Sequence, residues 1–239
     1  MRTPSLLKLE PETVSVMHPG CASSVFWEFE PSVAERVLAD GSERFEKEAW
    51  VASVLLENGE CGFSLIAAPR PVAGEEALID EVAHVVPPGG RVIATVLYCK
   101  PAQAPGSAQL PTAPVSPDAR LLSSLHIDAL FAALGLESVL VDAVLAALMA
   151  TEVTAVEAFA YRRPGERTTS DCPPLSPELE EVYEHVDDHG ILEVSILESA
   201  GFKVVEDHPY FPRLRIELPP PQALLTAEAV EQLLAGAVV

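Results

Sequence analysis

Gly135, set between Leu134 and Leu136, marks the first place where this sequence can do chemistry. A short apolar run, Leu121, Leu122, Leu125 and Ile127, precedes it. Leu136, Val139, Leu140, Ala143, Val144, Ala147 and Leu148 follow at the three- and four-residue spacing of a helix face. A strand that turns at a glycine into a helix gathers free backbone N–H groups and the positive end of the helix dipole at one point, which is an anion site. A second group is His185 and His189 beside Asp187 and Asp188. Four-residue spacing puts both imidazoles on one helix face, within reach of a divalent metal. Asp188-His189-Gly190 reads as a helix end, however, so the stretch is taken as a solvated acidic face and no metal is expected. His126 reads as a satisfied core or cleft histidine rather than a catalyst, and Cys21 with Ser24 as a plain thiol rather than a broken CxxC pair. There is no Ser-His-Asp order, P-loop or dinucleotide fingerprint.

The elements that must hold these groups follow from periodicity and breakers. The helix after Gly135 has few polar positions, Glu137, Ser138 and Asp142, so it should lie against a sheet rather than in solvent. Residues 154–159 supply the next buried strand. Upstream, Val14 and Val16 alternate in a strand over 13–17 that ends at the turn residues His18-Pro19-Gly20. Pro31 starts a helix that Gly41 stops, and a second helix over 42–57 turns Phe45, Trp50, Val54 and Leu55 inward. Strands are expected over 61–67 and 91–98, with a proline-rich acidic excursion over 69–90 between them. Residues 101–118 read as an ordered surface loop, since five prolines leave no room for regular structure. Residues 163–190 form a polar insertion with a short helix over 177–186. A helix over 191–200 closed by Gly201, strands over 203–207 and 214–218, and a last helix over 226–235 complete the chain. The sequence therefore describes one α/β domain over 1–218, with insertions at about 69–90, 101–118 and 163–190. Residues 219–239 are a proline break and a short helix.

The chain has 239 residues, 49% hydrophobic, enough to bury a full core. Fifteen Lys and Arg against 36 Asp and Glu give a formal charge of -21. A phosphate backbone or an anionic membrane is repelled by such a surface, which excludes nucleic acid and membrane as partners. A cationic substrate such as an amine, or a basic partner protein, suits it. The four cysteines form no CxxC pair and residues 1–10 lack an apolar core, so a reducing cytoplasm is expected. No run approaches the roughly 20 apolar residues needed to span a bilayer.

The order of elements resembles the GNAT superfamily of acetyl-CoA-dependent N-acetyltransferases, and more narrowly an actinobacterial group within it. The residues that carry this are Val25-Phe26-Trp27-Glu28, Glu46-Lys47-Glu48-Ala49-Trp50, the unit over 121–144, Val156-Glu157-Ala158-Phe159, Gly201-Phe202-Lys203, and His208-Pro209 with the stretch to Arg215. The resemblance implies a mixed central sheet, splayed in the middle and flanked by helices, with acyl-CoA in the gap. It places the cofactor against the backbone of Leu125, Ile127, Leu134, Gly135 and Leu136. It assigns Glu157 as the base and Tyr161, or Tyr183, as a substitute acid. Leu197 stands where many members carry a tyrosine acid. The family's pyrophosphate loop, Q/R-x-x-G-x-G/A, aligns with Ala132-Ala133-Leu134-Gly135-Leu136-Glu137, of which Gly135 alone fits. Two functions follow: acetyl-CoA-dependent N-acyl transfer to an amine, or a binding or regulatory protein that keeps the fold and acts through a partner.

Overall fold

In the computed structural model, which describes residues 4–67, 86, 90–164 and 174–236, the apolar runs pair into one mixed sheet. Its strands are β1 (Ser5–Lys8), β2 (Gly62–Ala67), β3 (Arg91–Cys99), β4 (Ala119–Ile127), β5 (Ala155–Tyr161), β6 (Leu192–Glu193), β7 (Lys203–Glu206) and β8 (Arg213–Glu217). The order is β1-β2-β3-β4-β5-β8-β7, with β6 pairing β5 off this path. The β4–β5 and β5–β6 pairs are parallel and the rest antiparallel. Strands β2 to β5 are largely buried on both sides, which is why their sequences are rich in apolar residues rather than strictly alternating.

The helices are α1 (Pro19–Ser23), α2 (Pro31–Asp40), α3 (Glu43–Asn58), α4 (Leu136–Leu148), α5 (Pro177–Glu184), α6 (Val194–Ser199) and α7 (Ala227–Gly236). Leu136, Val139, Leu140 and Val144 of α4 enter one core with Leu197 of α6 and Leu234 of α7. Trp27, Val51, Val54 and Leu55 build the other core with Phe159 and Phe211. This is the sheet, flanked by helices, that the resemblance implies. Strands β4 and β5 pair over 119–121 and 155–157, and past Leu121 their facing edges take other partners.

Several expectations change. Residues 13–17 form no strand: Thr13 ends a short 3-10 turn (Pro11–Thr13) in which its hydroxyl accepts from the Glu10 N–H. The first strand is instead β1, whose partner β2 lies far along the chain. His18 does not end a turn but caps α1, its Nδ1 accepting from the Gly20 N–H at 3.1 Å. On α3, Phe45 is 71% exposed and Lys47 fully buried, because Lys47 pairs with buried Glu28. The 101–118 stretch holds two 3-10 turns (Pro101–Gln103 and Pro105–Gln109) and is packed rather than superficial, with Ala104, Leu110 and Val115 buried. Residues 191–200 divide into β6 and α6. Most of the 69–90 excursion, and Cys172, lie outside the described residues.

Gly106 shows how tightly the proline-rich loop is seated. Its N–H donates to the Trp27 carbonyl, and a Cβ there would stand 1.7 Å from the Phe26 carbonyl oxygen. Since that obstacle is backbone, Gly106→Ala is expected to destabilise the protein by about 3 kcal/mol. A chemical-denaturation curve that is unmoved would show the loop to be loosely held.

Candidate functional site

The site is the cleft where β4 and β5 separate. After Ile127 the chain makes a 3-10 turn (Ala132–Leu134) and reaches Gly135 with φ 70°, from which α4 starts. The first turn of α4 offers the dipole end expected from sequence, and it carries Glu137. Burial is the main cause that raises the Glu137 carboxyl above its usual range, and the nearby Glu193 charge adds to it. Leu233 of α7 lies over the glycine: a Cβ on Gly135 would be 3.6 Å from its Cδ2.

A cavity of about 1140 Å³ opens beside this turn. Val25, Phe26, Leu38, Ile127 and Ile196 give it apolar walls. Glu35, Glu137, Glu178, Glu181, Asp187, Asp188 and Glu193 line it, and among the described residues Arg163 is the opposing guanidinium, already bonded to Glu193. His185, which also lines the cavity, is raised above its usual range by its hydrogen bond to Asp188, whereas the other three lining histidines are lowered. Burial pushes His126 down to about 3 and His189 down to about 4, and it lowers His18 as well. His126 Nε2 meets the Asp188 carbonyl at 3.2 Å, while its Nδ1 and the Ser24 hydroxyl are buried with no hydrogen-bond partner. Both residues line the cavity.

Glu157 lies elsewhere. It is fully buried on β5 and accepts from the Ser116 N–H at 3.1 Å, from Arg213 and from Arg215. Burial alone would raise its carboxyl, but those hydrogen bonds carry it below the usual carboxylate range. It does not line the cleft, and its carboxylate is the counter-charge of Arg213 and Arg215. Tyr161 does line the cleft; its hydroxyl donates to Glu193 at 3.2 Å, and burial, with the Glu193 charge, pushes it up to about 12. Tyr183 donates to the Arg162 carbonyl at 2.7 Å. Leu197 is buried in the core.

Of the five residues whose backbone is expected to hold a cofactor, Leu125 and Leu134 have their N–H groups engaged within the chain. The Leu125 N–H donates to the Gly190 carbonyl and the Leu134 N–H to the Phe131 carbonyl. Ile127 lines the cavity, Leu136 is fully buried, and Gly135 sits under Leu233. His185 and His189 have ring centroids 6.3 Å apart, and each has a partner of its own. His185 lies past the end of α5 and bonds Asp188 at 2.9 Å, whereas His189 stacks on Phe26 with ring centroids 4.2 Å apart. Among the described residues no group of three or more His, Cys, Asp or Glu is placed to hold a metal ion.

No family model and no curated protein match this chain. Solved structures similar to it include the PaiA N-acetyltransferase of Thermoplasma acidophilum in complex with coenzyme A, 8% identical over 90% of this chain and 99% of that one, with a TM-score of 0.46. The ribosomal-protein-S5-alanine acetyltransferase of Vibrio fischeri is 9% identical over 93% and 97%, with a TM-score of 0.45. An N-acetyltransferase of Staphylococcus aureus is 9% identical over 91% and 99%, with a TM-score of 0.43. Likeness at this level lends no residue roles to the chain.

The residues that sequence reasoning missed are Glu193, Ser24, Phe26 and above all Gly190. The 163–190 stretch looks like an insertion, and nothing periodic announces that its end returns to the sheet. Gly190 gives no separate signal, since a glycine at a helix end is ordinarily explained by the helix alone. Among the described residues no helix is long and apolar enough to cross a membrane.

Proposed function

We propose that this protein binds a basic segment of a partner protein in the acid-lined cleft of an acetyltransferase-like fold, and that it does not transfer an acyl group. The observation that carries this is Glu137 in the first turn of α4, lining the same cavity as Glu193. A carboxylate about 6 Å from a phosphate charge costs roughly 2–3 kcal/mol at an effective dielectric of about 20, on the order of a hundredfold in affinity. The same charges favour lysine and arginine side chains, and the apolar walls accommodate their methylene stems. The free thiols of Cys21, Cys61 and Cys99 suit a reducing compartment, and we place the protein in the cytoplasm.

Calorimetry with an oligolysine peptide and with acetyl-CoA tests this. The peptide is expected to bind with a Kd on the order of 10 µM that weakens at least about tenfold between low and high salt. Acetyl-CoA is expected to give no heat up to about 1 mM. A second reading, acetyl-CoA-dependent N-acyl transfer to an amine, is favoured by Tyr161, a phenol standing in the cleft as a proton donor. Submicromolar binding of acetyl-CoA, or an acetylated peptide in the mass spectrum, would establish that reading and remove the first.

A further inference from the structure

The gap between β4 and β5 is filled by the chain itself. Parallel strands that separate leave main-chain donors and acceptors on their facing edges, and buried groups of that kind must find partners. Residues 187–193 provide them. The Leu125 N–H of β4 donates to the Gly190 carbonyl at 2.9 Å, while Leu192 and Glu193 pair in parallel with Ala160 and Tyr161 of β5. Two side chains tie the same segment from outside: His126 Nε2 meets the Asp188 carbonyl at 3.2 Å, and the Trp27 indole N–H donates to the His189 carbonyl at 2.8 Å.

Gly190 makes this seat possible. It has φ +67°, and a Cβ there would stand 2.7 Å from His126 Cε1 and 2.9 Å from the Leu125 nitrogen. The ring could turn, but the nitrogen belongs to a central strand and cannot give way. Other residues are therefore excluded both by backbone conformation and by space.

We infer that residues 187–193 are an intramolecular strap that takes the main-chain partners in the slot between β4 and β5 while forming one wall of the open cavity beside it, and that the strap leaves as a unit while the sheet stays folded. This rests on the reading of the fold as acetyltransferase-like. The segment does with main-chain groups what the amides of a pantetheine arm would do there, so the two compete for one set of partners.

The test is Gly190→Ala, read by amide hydrogen exchange and by binding of pantetheine, the neutral arm of CoA. Pantetheine lacks the pyrophosphate, so repulsion by Glu137 does not enter. Exchange at Leu125 and Leu192 should quicken at least about a hundredfold, with amides of β2 and α4 keeping their protection. Pantetheine should bind at least about tenfold more tightly than to the parent. A parent that binds pantetheine as well as the variant overturns the inference, and so does quickened exchange without a gain in binding. Tight acetyl-CoA binding by the parent overturns instead the proposed function. Should the variant not fold, exchange of the unmodified protein in mild guanidinium decides. Strap amides that open below the global transition support the inference, and strap amides that exchange only with global unfolding overturn it.

Discussion

Replacing Lys47 by methionine is expected to cost the fold about 3–5 kcal/mol, a fall in Tm of roughly 6–20 °C for a chain of this size. Lys47 and Glu28 are both fully inaccessible on their side chains and bond to one another, joining α3 to the segment before α2. Charges at such depth are held mainly by each other, with the Trp50 ring 5.9 Å from the Lys47 ammonium. Removing the ammonium leaves a carboxylate whose second oxygen, Oε2, already has no partner. The loss therefore comes mainly from an orphaned anion rather than from missing contact area, since methionine fills much of the same space. Pairing Lys47→Met with Glu28→Gln removes that anion and should recover at least half of the stability. Urea denaturation of the single and double variants reads both effects, and a single variant within about 1 kcal/mol of the parent would mean that water reaches the pair.

Glu157→Gln is expected to cost about 2–3 kcal/mol at neutral pH, because it takes the buried counter-charge from Arg213 and Arg215. The figure is set below that for Lys47 because both arginines keep other acceptors: Arg213 the Thr112 carbonyl, Arg215 Asp118 and Glu217. The pH dependence has a definite sign. The folded-state pKa of Glu157 lies below its ordinary value of 4.5, so the unfolded chain takes up its proton first as the solution is acidified. Its contribution is present in full above about pH 4.5 and is lost as the pH falls through the depressed folded value. The variant should thus lose stability at pH 7 and show a flatter acid limb. Oligolysine affinity should stay within about twofold of the parent, since Glu157 does not line the cleft. A variant of parental stability that no longer handles an amine ligand would return Glu157 to the catalytic role that its place on β5 first implied.

These two carboxylates mark where sequence stops being legible. Glu28 and Glu157 each lie in an apolar run, and their type says only that a buried acid needs a partner. Lys47 is 19 residues from its partner, while Arg213 and Arg215 are 56 and 58 residues from theirs. No local pattern encodes such separations. A lysine on a helix is ordinarily assigned to solvent and a phenylalanine to the core, the reverse of what Lys47 and Phe45 do here.

What the sequence determined by itself was what depends on neighbours along the chain. The apolar spacing after Gly135 defined α4, Pro31 and Gly41 bounded α2, and Ala132 with Glu137 already set the charge at the α4 N-terminus. Each rests on contacts three or four residues apart or on the φ preferences of proline and glycine, which any chain with those residues shares. Only the tertiary structure decided that Glu157 is locked by arginines, that α7 lies over Gly135, and that residues 187–193 return to the gap between β4 and β5. A strand gap must be filled, but by what depends on which distant segment reaches it with the right main-chain groups. That is settled by packing across the whole domain.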